Sequence, residues 1–123
     1  MGETELFTSD LLKIEVNEAN DCIKVKWTGK SVHRKPSTFI TPILISALNK
    51  SSDCNKRLIL DFRKLDYMNS STITPIIKVL ERAKRGTNQI TVLYEKSLKW
   101  QDLTFSALEI FETRDQRVVI KGL

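Results

Sequence analysis

Apolar and polar residues alternate along two stretches near the start of the chain. The apolar members are Leu12, Ile14 and Val16 in the first stretch, and Ile23, Val25 and Trp27 in the second. Alternation with a period of two places these side chains on one face of an extended chain, so the pattern predicts two half-buried strands. Because the polar segment 17–21 between them tolerates turns, we expect an antiparallel hairpin with a five-residue loop.

Three later segments repeat apolar residues at intervals of three and four, which predicts amphipathic helices. Gly86 is well placed to end the second of these helices. The predicted buried positions are Phe39, Ile40, Ile43, Leu44, Ala47 and Leu48 in the first helix, Ile73, Ile76, Ile77, Leu80 and Ala83 in the second, and Trp100, Leu103, Ala107, Ile110 and Phe111 in the third.

Short apolar runs at 58–60, 90–94 and 118–120 follow or separate these helices and predict strands. The run 58–60 shows no alternation, which suits a strand covered on both faces. The resulting element order is β-β-α-β-α-β-α-β. Each later strand-helix-strand unit is expected to connect neighbouring parallel strands through a right-handed crossover. The sequence therefore predicts an α/β fold, a mixed β-sheet with helices packed on it. We assign 1–9 to an N-terminal extension and 10–123 to a single domain.

Composition and hydropathy narrow the class of protein. Hydrophobic residues make up 41% of the chain, with four Gly and three Pro, which is enough apolar material for one compact core. The longest uncharged stretch, 37–49, is too short to cross a bilayer, and 1–10 lack the basic start and apolar run of a secretion signal. We therefore expect a cytoplasmic protein that does not bind membranes.

Charge and candidate chemistry exclude several functions. The net charge is +5, but the basic residues are scattered, so we expect no nucleic-acid binding. Cys22 and Cys54 lie far apart without the spacing of a zinc or redox pair, and we expect no metal and no cofactor. Catalytic motifs are absent, and His33, the only histidine, is expected to be solvated beside Arg34 and Lys35. The chain is therefore predicted not to be an enzyme.

The most informative segment, 58–73, brings two adjacent hydroxyl groups, those of Ser70 and Ser71, to the start of the second helix. Hydroxyls at this position are ordinary helix caps. The same position also suits a phosphate, because unpaired backbone N–H groups and the helix dipole favour an anion there. The residue types alone leave both interpretations open.

This segment resembles the signature of the STAS domain, which is found in sulphate transporters and anti-sigma-factor antagonists. Residues 61–71, Asp-Phe-Arg-Lys-Leu-Asp-Tyr-Met-Asn-Ser-Ser, are similar to the family's strand end and the Asp-Ser-Ser or Asp-Ser-Thr that follows it. Residues 100–111 are similar to the family's third helix, and the order of elements agrees. The resemblance covers roughly residues 10–121 and implies a STAS-like fold.

The resemblance also implies a function. Stand-alone members act in partner switching, in which an anti-sigma-type serine kinase phosphorylates the second hydroxyl and a PP2C-like phosphatase removes the phosphate. By position, Ser71 would be the phosphoacceptor, with Asn69, Ser70 and Thr72 as its neighbours. We expect the exposed side of the second helix to be the partner surface. Its predicted residues are Thr74, Lys78, Glu81 and Arg82.

Three departures from the family pattern affect this interpretation. Asn69 occupies the usual Asp position, Thr72 replaces the usual Gly, and too few residues follow the last predicted strand for the family's final helix. The hydroxyl of Thr72 is therefore an alternative acceptor. The competing hypothesis is a non-phosphorylated STAS-like protein that acts as a scaffold or small-ligand sensor.

Overall fold

A computed structural model describes residues 3–123, in which seven strands and three α-helices form two layers. Short 3-10 turns cover Ser70–Thr72 and Ala107–Phe111. The strands are β1 Thr4–Ser9, β2 Leu12–Glu18, β3 Cys22–Ser31, β4 Arg57–Asp61, β5 Leu65–Met68, β6 Ile90–Tyr94 and β7 Val118–Gly122. The helices are α1 Ser37–Asp53, α2 Ile73–Arg85 and α3 Lys99–Ser106.

The sheet is mixed, with the strand order β1-β2-β3-β4-β6-β7. Strands β1, β2 and β3 pair antiparallel, whereas β3, β4, β6 and β7 pair parallel. β3 is long enough to pair with β4 through its first half and with β5 through its last residues. The predicted α/β fold is confirmed, with all eight predicted elements present in the predicted order.

One face of the sheet carries the hydrophobic core. Aligned residues from five neighbouring strands form a buried row across this face: Val16, Val25, Leu60, Val92 and Ile120. Residues of the opposite face, such as Ile59, Thr91 and Val119, are only half-buried. The prediction that β4 is covered on both faces is therefore wrong, because the helices bury a single face.

Two strands were not predicted. β1 lies within the segment assigned to an N-terminal extension, yet it pairs with β2 from Thr4↔Asn17 to Ser9↔Leu12. This edge strand is mostly exposed, so its sequence lacks the alternation that marks a half-buried strand. β5 has four residues and lies in the predicted loop after β4. The hairpin loop between β2 and β3 also spans three residues, 19–21, instead of five.

The helical phase was predicted correctly for α1 but only in part for the other two helices. In α2, Pro75 and Val79 are buried, whereas Ile73 and Ile77 are half-buried. The third helix changes to a 3-10 turn after Ser106, so a stripe with a constant helical period does not describe it. Its buried residues are Gln101, Phe105 and Leu108, while Leu103, Ala107 and Ile110 are exposed.

Candidate functional site

The candidate site lies where β5 ends and α2 begins. β5 is held against the last residues of β3, with Gly29 opposite Leu65 and Ser31 opposite Met68. After β5, Asn69 starts the 3-10 turn Ser70–Thr72, which leads directly into α2. Because the sheet and the buried side of α2 hold both flanks, the two serines project from a fixed part of the chain.

Asn69 caps this turn with its side chain. Its Oδ1 atom accepts hydrogen bonds from the backbone N–H of Thr72 at 3.2 Å and from the Thr72 hydroxyl at 2.7 Å. Its Nδ2 atom donates to the carbonyl oxygen of His33 at 2.9 Å. The backbone N–H of Asn69 donates to the carbonyl of Ser31, also at 2.9 Å. Asn69 therefore provides a hydrogen-bond acceptor for a free N–H group at the start of the helix and connects this start to the segment after β3.

Thr72 is fully buried, which contradicts its prediction as an alternative phosphoacceptor. Its hydroxyl donates to Asn69 and lies 2.6 Å from the hydroxyl of Ser31. Since the single proton of the Thr72 hydroxyl is engaged with Asn69, Ser31 donates in the second contact. Thr72, which stands at the position of the Gly in the STAS pattern, is thus part of the internal hydrogen-bond network and is inaccessible to a kinase.

Ser70 and Ser71 are both exposed. Within residues 3–123, neither hydroxyl makes a hydrogen bond, and the capping interaction that either could provide is made by Asn69. Ser70 and Ser71 therefore do not cap the helix start, because Asn69 does so. The two serine hydroxyls remain accessible from solvent.

His33 is largely buried, so the prediction of a solvated histidine is wrong. Its side chain is 15% exposed, and its Nε2 atom lies 2.7 Å from the Ser9 hydroxyl and 3.2 Å from Oδ2 of Asp10. The ring also packs near that of Phe39, with 5.9 Å between the ring centroids. Strand β1 supplies Ser9, which explains why the contact was missed. The side chain of His33 thus anchors the loop before α1, and the carbonyl oxygen of the same residue accepts the hydrogen bond from Asn69.

The four predicted partner-surface residues, Thr74, Lys78, Glu81 and Arg82, are exposed on α2. The positions 71, 74, 78 and 81 follow a three-four-three spacing, which places them in one row along the helix surface. Exposure meets the first requirement of a docking surface. The assignment of these residues to a partner interface stays a prediction.

A basic hollow adjoins Ser71 and was not predicted. Its volume is about 270 Å³, and it lies between the loop before α1 and the start of α2. Its lining consists of Arg34, Lys35, Pro36, Ser37, Ser71, Thr74, Pro75 and Lys78. The adjacent cations at 34 and 35 are visible in the sequence, but the 35 residues between Lys35 and Ser71 hide how close these cations lie to Ser71.

A separate charged cluster lies at the end of β4. The buried carboxylate of Asp61 contacts Arg63 at 2.9 Å and Lys24 at 3.3 Å. Burial acts to raise the pKa of Asp61, but the hydrogen bonds and charge of Arg63, together with Lys24, outweigh it and lower the pKa below its usual value. Asp61 is therefore an ionised partner of two cations.

In the described part of the chain, neither a metal-binding cluster nor a membrane-spanning helix is present. Residues 3–123 hold no cluster of three or more His, Cys, Asp or Glu side chains able to bind a metal ion. None of the helices described is both long enough and apolar enough to span a membrane.

Comparison with known proteins identifies the fold. No protein-family model and no curated protein sequence matches the chain. A solved anti-sigma factor antagonist from Mycobacterium paratuberculosis is similar over 95% of this chain and 91% of its own, with a TM-score of 0.55 and 12% identity. An uncharacterized DUF3478-family protein with a SpoIIAA-like fold, from Shewanella loihica, is similar over 95% and 90%, with a TM-score of 0.56 and 18% identity. The chain therefore has a STAS-like, SpoIIAA-like fold.

Proposed function

We propose that this protein is a phosphorylation-switched binding protein that acts like an anti-sigma factor antagonist, with Ser71 as the phosphoacceptor. One observation carries the proposal: the Ser71 hydroxyl is exposed and makes no hydrogen bond within residues 3–123, because Asn69 caps the helix instead. The fold that the chain shares with an anti-sigma factor antagonist supports the same function.

The chemistry requires little from this chain. A serine kinase of the anti-sigma type would supply the base, the metal and the nucleoside triphosphate. The Ser71 oxygen attacks the γ-phosphorus, its proton passes to the base of the kinase, and the nucleoside diphosphate leaves. A PP2C-like phosphatase would return the hydroxyl by hydrolysis. The protein is accordingly proposed to be a substrate and binding partner and not an enzyme, and it needs no cofactor.

Phosphorylation would act on binding through charge. A phosphoserine carries about −1.5 to −2 charges at pH 7. Ser71 lies at one end of the exposed row formed by Thr74, Lys78 and Glu81, so a partner that covers this row would also cover Ser71. A change of charge in a desolvated interface costs about 2–5 kcal/mol of binding free energy, enough to dissociate a partner.

The test is a pull-down from host lysate with the wild type, Ser71→Asp and the control Ser52→Asp. Ser52 is exposed near the opposite end of the helical layer, where it lines a small hollow with Thr87 and Asn88. We expect a partner that binds the wild type and Ser52→Asp but not Ser71→Asp. Mass spectrometry of the protein from the host should find phosphate on Ser71. Equal recovery with all three proteins and an unmodified Ser71 would refute the proposal.

The competing hypothesis, a scaffold or small-ligand sensor, has one structural feature in its favour. A cleft of about 270 Å³ lies between β1, β2 and α1. Its lining is mainly apolar and consists of Glu5, Phe7, Val16, Pro42, Ile43, Ser46, Ala47 and Lys50. If this hypothesis holds, Ser71 stays unmodified in the host, and a small amphipathic ligand protects residues of β1 and α1 from hydrogen exchange.

A further inference from the structure

We propose that the basic hollow beside Ser71 is a phosphate-binding site for the chain's own phosphoserine, in which Arg34, Lys35 and Lys78 hold the phosphoryl group. This inference rests on the proposed function, since it concerns the phosphorylated form of Ser71. It adds a mechanism that phosphoacceptor chemistry does not require, because an exposed phosphoserine can equally well extend into solvent.

The lining of the hollow is suited to a dianion. Three cations and the hydroxyls of Ser37, Ser71 and Thr74 line it, and no carboxylate does. In the described part of the chain, Arg34, Lys35 and Lys78 form no ion pair, whereas cations elsewhere, such as Lys56 and Arg63, are paired with carboxylates. Three unpaired cations around one volume repel each other, and an anion that enters the hollow relieves that repulsion.

The hydrogen-bond network described above holds the two walls of the hollow together. The wall that carries Arg34 and Lys35 follows Ser31 and His33, and both of those residues bind Asn69 through their carbonyl oxygens. A further contact links the hydroxyls of Ser31 and Thr72 at 2.6 Å. The backbone that carries the two cations is therefore held opposite Ser71 before any phosphate is present, which lowers the entropic cost of binding it.

The second wall is the start of α2. Lys78 lies seven residues after Ser71, on the same row as Thr74. Side chains of an α-helix lean toward its N-terminus, so the Lys78 ammonium group covers the turn that precedes its own backbone position. This direction brings the ammonium group toward Ser71. Arg34 adds a planar guanidinium group, which binds phosphate oxygens in a bidentate manner.

Binding in cis gives the switch a specific electrostatic form. A phosphate of about −2 charge placed among three cations leaves the hollow with a local charge near +1. A partner that docks an acidic group against these cations would find them already occupied. Phosphorylation would thus have two effects: it would add a phosphate to the surface, and it would occupy the cations that could otherwise bind an acidic group of the partner.

The test uses the full chain with phosphoserine incorporated at position 71 by genetic-code expansion, so it does not depend on a kinase. Phosphorus NMR measures the second pKa of the phosphate, which is about 6 when unperturbed. We expect the folded protein to show this pKa lowered by about 0.5 or more. The triple variant Arg34→Ala, Lys35→Ala and Lys78→Ala should lose most of this shift and keep only the part that the start of α2 contributes, with the urea-unfolded chain as the reference.

A matched control removes one arginine and two lysines elsewhere: Lys13→Ala, Lys121→Ala and Arg114→Ala, all of them exposed. This control changes the net charge equally and should keep the lowered pKa. An unshifted pKa in the parent protein, or equal shifts in the two triple variants, would overturn the inference. Absence of phosphate on Ser71 in the host would instead refute the proposed function, while the NMR result would still report how these residues bind phosphate.

Discussion

At the scale of single residues, the side-chain amide of Asn69 performs two functions that a carboxylate could not combine. Its oxygen accepts from Thr72, and its nitrogen donates to the carbonyl oxygen of His33. An aspartate at this position could accept the first hydrogen bonds, but an ionised carboxylate has no proton to donate to His33. The departure from the usual Asp of the family pattern therefore matches the way this chain fastens the loop before α1.

We expect Asn69→Ala to lower the free energy of unfolding by about 2 kcal/mol, because it removes a cap and leaves buried Thr72 without its acceptor. Ser71→Ala should change stability by less than about 0.5 kcal/mol, since its exposed hydroxyl has no partner within residues 3–123. Urea denaturation of both variants and the wild type measures the difference. A loss from Ser71→Ala as large as that from Asn69→Ala would show that Ser71 is the cap.

The sequence predicted the position of the hydroxyl pair but not the residues that surround it. Ser70 and Ser71 could be placed at a helix start because the apolar stripe of the second helix begins directly after them. The contacts of Asn69 with Ser31 and His33 join residues more than 35 positions apart, and no local pattern encodes them. The same reason explains why Thr72 was predicted to be accessible and why the basic hollow was missed.

At the scale of secondary-structure elements, Glu18 connects the end of β2 with two other parts of the chain. One carboxylate oxygen lies 2.9 Å from the ammonium group of Lys50 on α1, and the other lies 2.8 Å from that of Lys56, just before β4. Lys56 also donates to the carbonyl oxygen of Ala19 at 2.7 Å. Hydrogen bonds from Lys56 and Lys50 lower the pKa of Glu18 to about 2.

This shift predicts a pH-dependent contribution to stability. Because the folded-state pKa of Glu18 is depressed, its stabilising effect is complete above about pH 4.5 and is lost as the pH falls toward about 2. Glu18→Gln should therefore be less stable than the wild type at pH 6, and the difference in melting temperature should shrink at pH 3 and below.

The control for this experiment is Glu81→Gln, which removes an exposed carboxylate that forms no ion pair within residues 3–123. It changes the net charge in the same way and should show no comparable convergence with the wild type. A stability gap for Glu18→Gln that is constant from pH 6 to pH 2.5 would contradict the ion pairs of Glu18.

Elements with a strong periodic pattern were the predictable ones. α1, β2 and β3 are each buried on one side only, so the positions of their apolar residues show which side faces the core. β1 is an exposed edge strand, and β5 is short, so neither shows a periodic pattern of apolar residues. In the third helix, polar Gln101 occupies a core position, where its side chain donates to the carbonyl oxygens of Phe62 and Leu65. Hydrophobicity alone could not identify that residue as buried.

At the scale of the whole molecule, the site is at the edge of a rigid two-layer structure. The helical layer and one sheet face share a continuous hydrophobic core, which includes Trp27 and Phe62 with their rings 4.8 Å apart. A phosphate at a helix start gains only about 0.3–1 kcal/mol from the helix dipole. Disturbing the packing of one large core side chain costs about 2–5 kcal/mol, so the phosphate lacks the energy to rearrange the core.

We therefore expect phosphorylation of Ser71 to block a surface that already exists and to leave the fold unchanged. Amide chemical shifts of the protein with phosphoserine at 71 should differ from those of the unmodified protein only in 31–36, 69–78 and adjoining loops. The buried indole N–H of Trp27, which has no hydrogen-bond partner among residues 3–123, is a sensitive reporter of core packing and should not shift. Phosphoserine at exposed Ser52 serves as the control and should change only its own surroundings. Shift changes that reach Trp27 or Phe111 after modification of Ser71 would exclude the blocking mechanism in favour of a conformational change.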